Sequence, residues 1–312
     1  MHILRGLKNL PCFPRSTAVA IGNFDGLHLG HKAILRVLVE RAQEGGLYSL
    51  VLTFSPHPEK VLGQRRVAMI QTLAQRLAGL KESGVQAVLV APFSQAFSRL
   101  TSQEFFQDIL VSLLGAREVI VGENFRFGLK RQGDIEELRR LGREGGVIVH
   151  PVPQIRYKGQ IVSSSFIRSY LFEGKVERAN ALLGYPYEIE GKVVRGSSRG
   201  ASLGFPTANI LTANEITPEG VFFTTAKLSH QAYPSVTNIG FRPTFGRDAF
   251  QVETFIFDFK RSIYGKRIRL GLLKKIRDEK EFSSPQALVR QVCKDLAAAL
   301  DFFKKLTPES KG

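Results

Sequence analysis

The feature that most limits how this 312-residue chain can fold is a change of rhythm a little past its middle. Up to residue 184, short apolar runs alternate with segments of helical period. AVAIGN (18–23), LYSLVLTF (47–54), QAVLVA (86–91), REVIVG (117–122) and GVIVHPV (146–152) read as strands. Between them, a stretch from His31 places Ile34, Leu35, Leu38, Val39 and Ala42 at helical spacing and stops at Gly45-Gly46. TLAQRLAGLKESG (72–84), SQEFFQDILVSLLG (102–115) and DIEELRRLGREGG (134–146) repeat the helical pattern. Strands separated by helices predict a parallel sheet with right-handed crossovers, and such sheets bind ligands beyond the carboxyl ends of their strands. After Leu183-Gly184 the chain turns to short runs rich in Val, Ile, Thr and Phe, broken by Gly, Pro and Asn, which predicts a small antiparallel β-barrel. A last helix is expected from Ser283/Ser284, with Pro285 in its first turn. The fold class is therefore α/β plus β, in two domains, 1–184 and 185–312.

Two cysteines, Cys12 and Cys293, exclude a disulfide framework and any CxxC zinc site. No apolar run reaches the roughly 18 residues of a membrane span, and charges interrupt the N-terminal segment, so neither a signal peptide nor a membrane partner is expected. A cytoplasmic protein is the plain expectation. The net charge is +16, from 44 basic and 28 acidic residues. Residues 1–184 hold 24 and 15 of these and residues 185–312 the other 20 and 13, so the excess belongs to both halves. It fits nucleic acid and small anionic substrates equally well.

GNFDGLHLGH (22–31) follows the first strand and enters the first helix. His28 and His31 form the pattern His-x-Gly-His around Gly30. Glycine lets a nucleotide lie against backbone, and a helix N-terminus favours phosphate. Two imidazoles three residues apart can donate hydrogen bonds to charge developing on an α-phosphate. The competing readings are two surface histidines or a metal pair; the latter lacks a third ligand, and no HExxH is present. TFSPHP (53–58) and VGENFRFG (121–128) also follow strands on the expected ligand edge. SSSFIRS (163–169) puts Ser163, Ser164 and Ser165 at a helix start with Arg168 in the first turn, a phosphate grip or, more simply, an N-cap.

These four segments together resemble the adenylyltransferase module of the bacterial bifunctional riboflavin kinase/FAD synthetases, a Rossmann-like nucleotidyltransferase domain. The resemblance implies that His28 and His31 act on ATP phosphates. It further implies that Gly22, Asn23, Phe24, Asp25, Gly30, His57 and Asn124 line the ATP and flavin pockets, and that Ser164 and Arg168 complete the phosphate site. Ser55 stands before Pro56 where that family often has an acidic residue. Class I aminoacyl-tRNA synthetases share HxGH, but their lysine-rich KMSKS-like loop has no counterpart in SSSFIRS.

RGSSRGASLGFPTANI (195–210) joins a basic Gly/Ser loop to a strand and is not a P-loop. Thr207 and Asn209 share a face if the strand continues, where a hydroxyl and an amide oxygen suit Mg²⁺ bridging phosphates; alternatively they are ordinary strand polar residues. Glu253 in VETFIFDF is a carboxylate in an apolar, aromatic strand, either solvent-facing or a general base. With NIGFRPTFG (238–246) and YGKRIRL (264–270), this set resembles the riboflavin kinase module of the same family, GFPTAN being its most specific signature. The resemblance implies that Gly204, Thr207, Asn209 and Arg242 bind ATP or flavin, that Thr207 and Asn209 hold Mg²⁺, and that Glu253 is the catalytic base. The family commonly has Gly-Arg where this chain has Gly200-Ala201, with Arg199 one place earlier. The expected chemistry is phosphorylation of riboflavin to FMN with release of ADP, then adenylylation of FMN to FAD with release of pyrophosphate. ATP is the co-substrate of both steps and Mg²⁺ the metal. No nucleic-acid partner is expected; the rival readings are an HxGH nucleotidyltransferase of other specificity and a basic nucleic-acid-binding protein without flavin turnover.

Overall fold

In the first half the central strands are near-continuous apolar runs because both faces of the sheet are covered there; β2 (Thr17–Ile21) is buried at every position. The computed structural model describes all residues except 9, 11–15, 64–66, 197–203, 245–246 and 307–312, and the side chains of 241–244 and 247–249 also fall outside the description. Contacts divide the chain into two compact units, Met1–Ser164 and Ser165–Gly312.

In the first unit, β1 (His2–Arg5), β2, β3 (Tyr48–Phe54), β4 (Ala87–Ala91), β5 (Ala116–Gly122) and β6 (Ile148–Val152) form one parallel sheet in the order β1-β4-β3-β2-β5-β6. The five expected strands are present. β1 was not expected, because four residues with three exposed side chains leave no apolar pattern to read. Helices α1 (Leu29–Glu44), α2 (Pro58–Leu62), α3 (Leu73–Glu82), α4 (Ser102–Glu104) and α5 (Ile135–Gly145) connect the strands. α4 runs on as a π-helical stretch, Phe105–Leu113, in which Phe105, Phe106, Ile109 and Leu110 are buried. Arg41 in the last turn of α1 grips the buried Glu118 near the start of β5 through Nε (2.9 Å) and Nη2 (3.2 Å), which fixes the C-terminal end of the helix against the sheet. A two-residue hairpin, β7 (Arg156–Tyr157) with β8 (Gln160–Ile161), precedes Ser164.

In the second unit, helices α6 (Ser164–Phe172) and α7 (Val176–Leu183) lead into a closed barrel. Its strands are β9 (Tyr187–Val194), β10 (Ala208–Thr212), β11 (Gly220–Leu228), β12 (Gln231–Thr244), β13 (Arg247–Ile256) and β14 (Arg267–Arg277), in the order β10-β13-β12-β11-β14-β9 and antiparallel throughout. Strand alternation sends Ile239, Val252, Leu270 and Leu272 inward. The inward hydroxyls of Thr224, Ser235, Thr237 and Thr254 are fully buried and bond to one another at 2.7–2.9 Å, which satisfies them without water. The expected terminal helix is α8 (Pro285–Leu306), capped by Ser284 Oγ accepting the Ala287 N–H. Its Ala299 packs with Val221, Phe223 and Val236 on the barrel's outer wall.

The contact boundary at 164/165 lies before the expected break at 184/185, for a visible reason. The Asn180 amide on α7 donates to the Leu272 carbonyl (2.8 Å) and accepts the Tyr187 N–H (2.7 Å), which ties the helix to β14 and β9. A fragment of residues 165–312 is therefore expected to melt at least ~5 °C above one of residues 185–312, since losing two such bonds and the packing around them costs a few kcal/mol. Equal melting temperatures would make α6 and α7 a mere linker.

Candidate active sites

Chain order and sheet order reverse between β2 and β5, and in a parallel sheet a crevice opens beyond the carboxyl ends of the strands at such a point. GNFDGLH leaves β2, SPHP leaves its neighbour β3, and ENFRFG leaves its other neighbour β5. The three motifs thus meet at one edge because their strands are adjacent. Asn124 is exposed there. Phe54, Phe93, Phe97, Phe105, Phe127 and Phe125 form a continuous aromatic run along this edge, with successive centroids 5.5–6.1 Å apart.

His28 is the N-cap of α1, and its Nδ1 accepts the backbone N–H of His31 at 3.3 Å. In the neutral ring the proton then sits on Nε2, which makes that nitrogen a donor. The His28 and His31 rings stack at 3.6 Å between centroids and 14° between planes, with Phe24 against His31 at 5.2 Å. Two imidazolium charges at that distance repel by about 5 kcal/mol at an effective dielectric near 20. Gly30 makes the stack possible: a Cβ there would press on the His28 ring at 3.2 Å. His57 repeats the device one strand over, capping α2 with Nδ1 accepting the Glu59 N–H at 3.2 Å.

The loop that carries these rings is held from below. Gly22 N–H bonds to Leu52 O at 3.1 Å, and the Asn23 carbonyl accepts Thr53 Oγ1 (3.1 Å) and Arg76 Nη1 (2.7 Å). Phe24 is fully buried. Asp25 is 1% exposed, and its carboxylate oxygens accept the Ile70 and Gln71 N–H groups at 3.1 Å each, while its carbonyl accepts Ser164 Oγ at 2.9 Å. Asp25 and Ser164 thus fasten the loop to two other segments. Arg168 lies one turn beyond Ser164 on α6, in the second unit. Arg76 escaped the sequence reading, although the signal was there: it occupies a core-facing position between Leu73, Leu77 and Leu80 of α3. Burial lowers its proton affinity from the usual arginine value, and the Asp25 carboxylate opposes that shift.

On the barrel, Glu253 of β13 lies directly opposite Asn209 of β10 on one side and Asn238 of β12 on the other. Its neighbours Val252 and Thr254 point into the core, so the three polar residues form one outward row, with Glu253 half-buried. The Asn209 amide sits hard against Gly196, where a Cβ would collide with it. β10 starts at Ala208, so Thr207 precedes the strand and its sharing a face with Asn209 does not follow from pleating alone. Asn238 Nδ2 donates to Glu279 Oε1 at 3.3 Å; neither residue was singled out from sequence, because their contact depends on how the segment after β14 returns. Gly204 is exposed in a left-handed turn (φ 87°) before Thr207. Arg242 pairs through its backbone with Ala249, and its side chain lies outside the described residues, as does the Arg199–Ala201 departure. Among the described residues no group of three or more His, Cys, Asp or Glu could hold a metal.

A family model described as FAD synthetase matches residues 11–166, and one described as riboflavin kinase matches residues 183–303. The bifunctional riboflavin kinase/FMN adenylyltransferase of Escherichia coli (strain K12) is 36% identical, over 99% of this chain and all of its own. That of Bacillus subtilis (strain 168) is 33% identical over 93% of both. A solved structure from Streptococcus pneumoniae, described as a macrolide-efflux protein, matches with a TM-score of 0.87 at 30% identity, over 96% of this chain and 99% of its own. No helix among the described residues here is long and apolar enough to cross a membrane. The histidine stack and the Glu253 row fall one in each matched region, and the chain belongs to the bifunctional riboflavin kinase/FMN adenylyltransferase family.

Proposed function

We propose that the two activities of the family, riboflavin kinase and FMN adenylyltransferase, are divided in this chain between residues 185–312 and residues 1–184. What carries the division is that the two polar arrays stand in separate compact units, the His28–His31 stack in one and the Asn209–Glu253–Asn238 row in the other. ATP is the substrate common to both reactions.

In the kinase step, Glu253 takes the proton of the riboflavin 5′-hydroxyl as its oxygen bonds to the γ-phosphorus of ATP and the bond to ADP breaks. Gly204, Thr207, Asn209 and Arg242 hold the ATP and flavin. In the adenylyl step, an oxygen of the FMN phosphate bonds to the α-phosphorus of a second ATP and pyrophosphate leaves. His28 and His31 donate hydrogen bonds to charge developing on the α-phosphate, and the N-terminus of α1 adds its positive end. Gly22, Asn23, Phe24 and Gly30 keep the backbone close to the nucleotide, and His57, Asn124 and the phenylalanine run face the flavin. Ser164 supports the site of the leaving pyrophosphate through its bond to Asp25. No step calls for a nucleic acid, and the reading places both reactions in the cytoplasm, where ATP is at hand.

Mg²⁺ fits the barrel row. The Asn209 amide oxygen in the row and the Thr207 hydroxyl just before the strand are hard donors of the kind that hold Mg²⁺ together with nucleotide phosphates. Asn209, fixed against Gly196, and Thr207 would hold it. When bound, Mg²⁺ offsets the charge on the phosphate oxygens. The test is a Mg²⁺ titration with riboflavin and ATP, in which FMN and FAD are resolved by chromatography. Asn209→Ala should raise the Mg²⁺ needed for FMN formation by about tenfold or more, the typical cost of a displaced ligand or its support. The Mg²⁺ dependence of FAD formation from supplied FMN should stay unchanged; a parallel shift in both would remove Asn209 from the metal site.

A further inference from the structure

One concavity of the barrel shares no lining residue with the Glu253 row. It measures about 780 Å³ and lies where β11 turns into β12 and where the chain enters β14. Five cations line it, namely Lys227, Arg261, Lys266, Arg267 and Arg269, and Glu190 is the one carboxylate in its described wall.

The strand register concentrates this charge at a cost to the fold. Lys227 lies directly opposite Arg269, and Arg267 directly opposite Lys192. Like charges in directly opposed positions destabilise a sheet. Glu188 offsets part of the repulsion, at 2.7 Å from Lys227 and 3.9 Å from Arg269, and Glu190 does so at 2.9 Å from Arg267. Arg261 and Lys266 have no carboxylate partner among the described residues. Arg261 is nonetheless held in place: Nη2 donates to the Tyr233 hydroxyl at 2.6 Å, and the guanidinium lies 5.2 Å from the centre of the Phe259 ring, which Tyr233 buttresses edge-on. A guanidinium fixed in this way meets an anion without losing rotamer freedom.

We propose that this pocket binds an oligophosphate, either free pyrophosphate or the diphosphate group of a nucleotide. Its volume falls within the range of small-ligand sites, roughly 300–1,000 Å³, rather than forming the open stripe that a nucleic-acid backbone follows. Its cations come from two sides, Arg261 and Lys266 from the segment before β14 and Lys227, Arg267 and Arg269 from the sheet, which suits two linked phosphate groups better than one. Both reactions assigned to this chain release a diphosphate, so a ligand of this class is always present where the enzyme turns over.

Lysine labelling by pyridoxal 5′-phosphate with borohydride reduction, mapped by peptide mass spectrometry on the full chain, reads occupancy at Lys266, and the double replacement below separates this site from the two active sites. Pyrophosphate at 1 mM should slow labelling of Lys266 at least ~fivefold, the protection given by a ligand several-fold above its Kd. Parallel runs with ADP tell the two sources apart: protection by ADP alone marks a nucleotide site, and protection by both marks the diphosphate as the recognised group. Arg261→Ala combined with Arg267→Ala should remove the protection while FMN and FAD formation continue. Labelling of Lys266 unchanged by either diphosphate, protection by single-stranded RNA only, or protection that survives the double replacement would each overturn the proposal.

Discussion

His28→Ala is expected to cut FAD formation from FMN by about 10²–10³-fold, the usual cost of one transition-state donor, and to leave FMN formation from riboflavin untouched. Two effects add in this substitution. It removes the Nε2 donor, and it deletes the cap that accepts the His31 N–H, so the second ring loses its stacking partner as well. His28→Asn separates them, because asparagine can cap the helix without supplying the imidazole. Equal loss in both variants assigns the effect to the donor, and recovery in the asparagine variant assigns it to the cap. Chromatography of the products with riboflavin or FMN as the starting flavin reads both activities from one preparation.

Glu253→Gln should slow FMN formation by about 10²–10⁴-fold, the contribution of a general base, while FAD synthesis from supplied FMN continues at the wild-type rate. The glutamine keeps the size and hydrogen-bonding reach of the side chain between Asn209 and Asn238, so the barrel wall is preserved and only the proton acceptor is lost. A fall of less than about tenfold, below the low end of that range, would return Glu253 to the role of an ordinary outward strand residue.

Much of this was legible in the sequence because it depends on short-range patterns. The buried parallel strands are continuous apolar runs, α1 shows its period through Leu35, Leu38 and Ala42, and Gly30 stands where the His28 ring needs room. What stayed hidden depends on distant returns of the chain. The tie from Asn180 to Leu272 and Tyr187 moves the compact boundary to Ser164, and no local pattern announces it. Arg76 reaches Asn23 across 53 residues and Glu279 reaches Asn238 across 41, so their roles appear only once the sheets are assembled. Asp25 shows the reverse case: its motif suggested ligand contact, whereas its carboxylate is already engaged by the backbone of Ile70 and Gln71.

The central claim, two independent sites on one chain, meets its most direct test in a mixture. His28→Ala alone should turn riboflavin into FMN and stop there, and Glu253→Gln alone should leave riboflavin unchanged. Combined in one tube with riboflavin, ATP and Mg²⁺, the two variants should produce FAD, as FMN released by the first is adenylylated by the second. Loss of both activities in either folded variant, with no FAD from the mixture, would contradict the account.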